Sequence, residues 1–394
     1  MSDDSAAFLE LTIDSLAAGG DGVGRAADGC VVFVPESAPG DRVRVTVVER
    51  HRRFVRARLD AVLAPGPDRC PPPCPVFGRC GGCSWQHLAY PAQVEAKRSI
   101  LEAALARIGG LELPAQTDFV ASPKAYGYRN RARVLVLDGG VGFRERRSHA
   151  LCAVTSCPLL TPALDRALGS LAASPPEGAG ECELAEGAEG AVRVSSLARS
   201  LRGARPLEVE VGGARLRVSA GVFMQSNVHL FQSLAQEVVE AAGTGDRLLE
   251  LYAGAGFFTI GLAARFRTGL AVEGDPSAAR DLSRNLERAG VSHLRPLRAG
   301  VGPESLALWL ERESPEVVVL DPPRAGLGRA AAEVLEASAV RRVVYLSCDP
   351  ATLARDLARF DAARWTLTRV RGFDLFPQTP HVEALAVLEA SATS

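Results

Sequence analysis

Two short apolar runs late in the chain each end in residues that could do chemistry. Val317–Leu320 is followed by Asp321-Pro322-Pro323-Arg324, and Val343–Leu346 by Ser347-Cys348-Asp349-Pro350. Two prolines after Asp321 stiffen its loop and hold the carboxylate in one place. Cys348 stands just past a strand end, before a helix expected from Ala351, where the helix N-terminus could lower a thiol pKa and make a nucleophile. The plainer reading of a cysteine after an apolar strand is an inert buried thiol. Further on, Phe376-Pro377-Gln378-Thr379-Pro380-His381-Val382-Glu383 carries polar residues and an acid into a final apolar strand. Glu383 taken alone reads as a surface acid.

A second feature is Leu249-Glu250-Leu251-Tyr252-Ala253-Gly254-Ala255-Gly256, two glycines after a strand and before a helix. Glycine lets the backbone approach a ligand, and the helix N-terminus adds partial positive charge. Glu273 ends the next strand, 19 residues after Gly254, where an acid can bind two ribose hydroxyls. A dinucleotide fingerprint calls for a third glycine at the position held by Thr259. The loop is therefore open to a nicotinamide cofactor or to S-adenosylmethionine, and the missing glycine favours the latter.

The third feature is Cys74-x5-Cys80-Gly81-Gly82-Cys83. Three thiolates this close point to a metal, with a fourth ligand supplied by Cys157, Cys152 or Cys70. All-thiolate ligation suits a [4Fe–4S] cluster or zinc. A redox pair at Cys80 and Cys83 lacks thioredoxin-like surroundings.

These residues need elements to position them. From Asp246 onward, β-rich runs at Arg247–Tyr252, Thr268–Val272, Val317–Leu320 and Val343–Leu346 alternate with helix-like stretches. That pattern predicts a doubly wound, Rossmann-like α/β domain with a largely parallel sheet. At the other end, Phe8–Ile13, Cys30–Val34, Arg42–Val48 and Phe54–Val62 read as short strands, with a turn over Gly19–Gly24. They predict a small β-barrel of the oligonucleotide-binding type. Between Arg42 and Arg58 lie seven arginines and one acid, Glu49, interleaved with Val, His51 and Phe54. This suits RNA, or simply a solvated strand face.

Pro65–Pro75 reads as a linker. Val94, Leu101, Leu105 and Ile108 recur at helical spacing and stop at Gly109-Gly110. Arg129 to Arg147 is a second basic stretch with six arginines, and Ser174–Gly190, with five glutamates and no base, reads as an exposed loop or hairpin. The expected division is a barrel over 1–62, a central α+β domain over 63–222 with residues near 88–110 against the catalytic part, and a catalytic domain over 223–394.

A length of 394 residues allows two or three domains at roughly 150 each. Lys+Arg total 45 against Asp+Glu 46, so the net charge of −1 excludes a uniformly basic sleeve but not a local basic face. Only Lys97 and Lys124 are lysines. That global preference for arginine means no single Arg marks a phosphate site. The acidic start Met1–Ser5 has no basic region before an apolar run, and Leu248–Ala264 is interrupted by Glu250 and glycines. Neither a signal peptide nor a membrane span is expected. Nine clustered cysteines argue against a disulfide framework. A soluble cytoplasmic protein with no obligate protein partner is the expectation.

In this order and spacing the motifs resemble the RNA (uracil-5-)-methyltransferase family, in particular its branch with an N-terminal TRAM barrel and an iron–sulfur cluster that modifies 23S ribosomal RNA. The resemblance also draws on Gln86-His87, Ser156-Cys157-Pro158 and Phe223-Met224-Gln225-Ser226-Asn227. It implies that Cys74, Cys80, Cys83 and Cys157 hold a [4Fe–4S] cluster. It makes Gln225, Tyr252, Gly254, Gly256, Glu273 and Asp321 contacts to S-adenosylmethionine, Cys348 the nucleophile and Glu383 the general base. The implied reaction is methylation of uridine C5 through a Cys348–C6 adduct on a base flipped out of its stack. Phe257 departs from the family's Asn, and Leu297-Arg298-Ala299-Gly300 offers the donor no acid or amide. The alternatives are the same reaction on transfer RNA, whose enzymes generally lack the barrel and the cluster cysteines, and a non-catalytic RNA-binding protein, which would have lost Cys348 or Glu383.

Overall fold

Apolar and polar residues alternate from Phe8 to Ala64, and five strands close into a barrel in the order Phe8–Leu16, Gly22–Arg25, Val31–Val34, Phe54–Ala64, Arg42–Arg50. The computed structural model describes residues 8–115, 117–178, 180–196 and 205–391; the start Met1–Ser5 lies outside them. Leu11, Ile13, Val32, Val34, Val43 and Val45 fill the barrel, as a two-residue side-chain period requires. The stretch Gly19–Gly24, expected to turn, carries the second strand from Gly22. Its glycines answer to crowding: a side chain at Gly22 would run into Ser37, and one at Gly24 into Leu11. On the outside, Arg56 lies over the Phe33 and Phe54 rings at 5.9 and 6.0 Å, and His51 stacks on Phe54 at 4.3 Å.

Pro65–Pro75 is tied down rather than a free linker. Arg69 grips the fully buried Asp41 of the barrel through Nη2 and Nε at 2.8 and 2.9 Å, and Cys70 N donates to His87 O. Beyond it an antiparallel sheet runs Val192–Ser196, Gly180–Glu186, Arg131–Leu137, Gly140–Arg144, Leu151–Ala153, with the helix Pro162–Ala173 packed on it. The acidic stretch 174–190 thus supplies one strand of a hairpin, one of its two expected readings, but is not all exposed. Its Glu183 is buried because Arg193 and Arg131 neutralise it, at 2.9 and 3.5 Å. Charge pairing across strands hid that strand from an apolar pattern.

The largest sheet has eight strands in the order Leu294–Arg298, Phe266–Glu273, Gly245–Leu251, Val317–Leu320, Arg342–Ser347, Glu383–Ala390, Trp365–Phe373, Thr117–Val120. The first five are parallel, and Glu383–Ala390 runs antiparallel between its neighbours. Val317–Leu320 is buried throughout, with Val317 and Val319 in one core and Val318 and Leu320 in the other. A strand covered on both faces gives such a continuous apolar run. The helix Tyr90–Arg107 sets Leu101 and Leu105 into the core on one face, while Ile108, past its end, is exposed. Among the described residues no helix is long and apolar enough to cross a membrane.

Candidate active site

Parallel strands bring their carboxyl ends to one edge of the sheet. The strand order reverses between Gly245–Leu251 and Val317–Leu320, and open α/β sheets bind ligands in the crevice at such a point. Tyr252, Gly254 and Gly256 enter it with φ of 61°, 58° and 96°. For tyrosine this left-handed conformation costs about 1–3 kcal/mol and persists only where the surroundings fix it. They do: Asn285 Nδ2 donates to Ala255 O at 2.8 Å, and Gly254 N to Glu273 Oε2 at 2.8 Å. Asp275 N donates to the other Glu273 oxygen at 2.6 Å, so that carboxylate is aimed by two backbone N–H groups. Phe257 packs edge-on against Phe231 and Phe258, at 5.8 and 4.9 Å, and fills the core beneath the loop. After Leu294–Arg298, Ala299 N meets Glu273 O, and no acid stands there.

Cys348 and Glu383 come together through strand register. Ser347 pairs with Ala384 across the antiparallel ladder, so the next residue on one strand lies beside the preceding residue on the other. Burial pushes the Cys348 thiol up to about 11, the Glu383 and Asp321 carboxyls add to this, and Arg324 pulls the other way. The expected lowering by the helix N-terminus is overturned. Asp349 caps the helix Pro350–Leu357 by accepting from Thr352 N at 2.8 Å, and burial, then the Glu383 and Asp321 carboxyls, raise the thiol. Burial, with Asp321 beside it, raises Glu383 well above the carboxylate range; it is no surface acid. Burial likewise brings Asp321 up to about 7. His381, pushed down to about 4 by burial and then by Arg324, is neutral at physiological pH.

Glu250 is a site residue that sequence reasoning passed over as a mere interruption of an apolar run. It is 1% exposed, neither carboxyl oxygen has a hydrogen-bond partner, and burial, then Asp321 and Glu273, push it up to about 8 against the nearby Thr259 hydroxyl, which pulls the other way. The signal was an acid inside an apolar strand directly before the glycine loop. Gln225 is buried with Oε1 unpartnered, next to Met224, which shares a core with Ala253 and Ala255. Orphaned buried polar atoms are costly, and their concentration here fits a polar, cationic ligand. Phe223, two residues before Gln225, is 70% exposed, and its sequence gave no sign of a role of its own.

Cys74, Cys80, Cys83 and Cys157 line one cavity of about 390 Å³, whereas Cys70 and Cys152 are not on its wall. Gly82 N donates to Cys80 Sγ at 3.5 Å, the Gln86 amide faces Cys83, and the Leu159 and Leu160 N–H groups face Cys157. Burial pushes Cys80 and Cys83 up to about 11 and 12. Four thiols with N–H groups on three of them are the donor chemistry of a thiolate-held group. Among the described residues, however, no three His, Cys, Asp or Glu side chains converge closely enough for a single metal ion. The cavity is close to the crevice in space, though far in sequence, because Phe223, Met224, Ser226 and Phe376 form part of its wall.

Residues 7–59 match the TRAM domain, and residues 205–391 match the tRNA (Uracil-5-)-methyltransferase family. A 23S rRNA (uracil(1939)-C(5))-methyltransferase of Halomonas elongata is 34% identical, covering 96% of this chain and 89% of its own. Its counterpart in Chromohalobacter salexigens is also 34% identical, over 98% and 90%. The crystal structure of the Pyrococcus abyssi tRNA (uracil-54, C5)-methyltransferase with S-adenosyl-L-homocysteine superposes with a TM-score of 0.75 at 26% identity, covering 96% of this chain and 100% of that one. With a TRAM barrel at one end and this crevice at the other, the chain belongs to the RNA (uracil-5-)-methyltransferase family.

Proposed function

We propose that the protein methylates C5 of a uridine in 23S ribosomal RNA in the cytoplasm, taking the methyl group from S-adenosylmethionine through a covalent Cys348–C6 bond. The observation that carries this reading is the pairing of Ser347 with Ala384, which sets a thiol beside a buried carboxyl at the mouth of the crevice. Uracil C5 is too weak a nucleophile to take a methyl group directly. Addition of Cys348 Sγ to C6 makes C5 an enolate carbon, the thiol proton passing to Asp321, the carboxyl that is part-ionised near neutrality. C5 then attacks the sulfonium methyl, and S-adenosylhomocysteine leaves. Glu383, in its ionised form, removes the C5 proton; those electrons restore the C5–C6 double bond and expel Cys348 as a thiolate, which takes its proton back from Asp321. Retention of both residues argues against a non-catalytic protein.

Gln225, Tyr252, Gly254, Gly256, Glu273 and Asp321 are proposed to hold the donor, with Glu250 beneath them. A cation favours ionised carboxylates, so donor binding should release protons from Asp321, near 7, and Glu250, near 8. S-adenosylmethionine affinity is therefore expected to rise about tenfold from about pH 6 to 8.5, with a shallower rise for S-adenosylhomocysteine, which lacks the sulfonium charge. Calorimetry in two buffers of different ionisation enthalpy measures both affinity and proton release. A flat profile would contradict the assignment.

The four cysteines are proposed to hold a [4Fe–4S] cluster. All-thiolate ligation also suits zinc; the four thiols share one cavity wall. When bound, the cluster would supply a cross-link between the cysteine loop and Cys157. The Arg- and aromatic-bearing barrel face is proposed to meet RNA.

A second reading, transfer RNA as substrate, is favoured by the Pyrococcus structure, which aligns over 96% of this chain. A barrel-bearing architecture therefore does not by itself separate the two RNAs, and the preference for 23S rRNA rests on the relatives at 34% identity. Mapping 5-methyluridine in both RNAs from a strain lacking the gene, with and without complementation, tests the choice. Loss of one 23S position is expected. Loss from tRNA alone would establish the second reading, and loss from neither would overturn both.

A further inference from the structure

The loop that delivers Glu383, Asp374 to Val382, is clamped by buried polar groups from distant parts of the chain. Gln93, on the helix Tyr90–Arg107, accepts from Gln378 N through Oε1 at 2.9 Å, and its Nε2 lies 2.9 Å from Gln378 Oε1. The same Nε2 lies 2.9 Å from Leu88 O and 3.1 Å from Trp85 O. Gln378 O accepts from both Ser84 N and Trp85 N at 3.0 Å, on the cysteine loop. Four residues along the helix, Lys97 Nζ donates to Asp374 Oδ1 at 2.5 Å and to Phe376 O at 3.0 Å. From the opposite side Tyr128 Oη donates to Pro377 O at 3.0 Å, and Asn227 Nδ2 lies 3.4 Å from Asp374 O and Leu375 O.

Gln93, Lys97 and Asp374 are all 0% exposed, and Gln378 is 2% exposed. A core made only for stability would be served as well by apolar side chains here, since buried polar pairs add little net energy and instead fix geometry. Gln378 also holds a φ of 70°, a conformation a non-glycine residue keeps only where its neighbours impose it. Five residues later stands Glu383, whose backbone is set by the sheet but whose approach is set by this loop. Cys348 has separate supports: its own strand and the cap at Asp349.

We propose that Gln93, acting through Gln378, is a positioning residue for Glu383. It sets the carboxylate against the C5 proton in the step that frees the product, and leaves attack and methyl transfer by the Cys348 side of the site untouched. This rests on the assignment of Glu383 as base. Misplacing a base by a fraction of an ångström slows only the step it serves.

The experiment compares the wild type, Gln93→Met, Gln378→Asn and Glu383→Gln with substrate RNA and S-adenosylmethionine. It follows first-turnover methyl transfer, steady-state turnover and the denaturant-resistant protein–RNA adduct. Gln378→Asn shortens the side chain while keeping a residue that tolerates positive φ. Both glutamine variants are expected to lose about tenfold in kcat and to accumulate the methylated adduct, with first-turnover methyl transfer within about threefold of wild type. A purely structural role would slow all steps together and build up no adduct. Turnover lost without adduct, normal turnover, or failure of both variants to fold would each overturn the proposal. If Glu383→Gln itself builds up no adduct, the assignment of the base falls, and this inference with it. An adduct in Glu383→Gln alone removes only the role of Gln93.

Discussion

Replacing Cys348 with alanine is expected to remove methyl transfer and the protein–RNA adduct together, with kcat falling by more than about 10⁴-fold. Without the sulfur no C6 bond forms, and without that bond C5 never gains carbon-nucleophile character. Glu383→Gln should behave differently. Its Cys348 still attacks and the methyl group still moves, but the C5 proton has no acceptor and elimination waits on it. That protein should accumulate a methylated adduct stable to denaturant, seen by gel shift and mass spectrometry. Normal turnover of Glu383→Gln would move the base elsewhere. Asp349 is then a poor substitute, because its carboxyl already caps a helix through Thr352 N.

The second large effect concerns the cysteines. Anaerobically purified protein is expected to carry about four iron and four acid-labile sulfide per chain. Cys157→Ser should lose the metal, whereas Cys70→Ser and Cys182→Ser should keep it. Cys157 shares the cavity with Cys74, Cys80 and Cys83; Cys70 lies outside it with its thiol on Gln86 O, and Cys182 is in the core of the neighbouring sheet. Zinc at one per chain would contradict the cluster, and loss of metal from Cys70→Ser but not from Cys157→Ser would contradict the ligand set.

Much of this was legible in the sequence because the relevant signals are local. Val317–Leu320 and Val343–Leu346 reveal parallel strands by their unbroken apolar runs, and the ends of such strands are where ligands bind. The positions of Asp321 and Cys348 at those ends therefore follow from the sequence alone. The barrel was legible from alternation, except at Gly22 and Gly24, where glycine marks crowding inside a strand rather than a turn. What escaped were features made by long-range pairing. Glu183 is buried only because Arg131 and Arg193 come from other strands, and Gln93 and Lys97 look like ordinary polar positions on a helix until Gln378 and Asp374 meet them. Glu250 has a local signal, an acid in a strand, whose meaning depends on the carboxyls that converge with it. The sign of the Cys348 shift failed because burial, and then Glu383 reaching it from a strand far along the chain, both raise the thiol.

The central claim is that Cys348 forms a bond to C6 of the target uracil. RNA carrying 5-fluorouridine at the target position tests it most directly, because fluorine at C5 cannot leave as a proton does and the intermediate cannot resolve. The expected result is a denaturant-resistant complex of protein, RNA and one transferred methyl group, with digestion locating the nucleotide on the peptide that contains Cys348. Release of methylated 5-fluorouridine RNA with no adduct, or an adduct on a peptide without Cys348, would contradict the account.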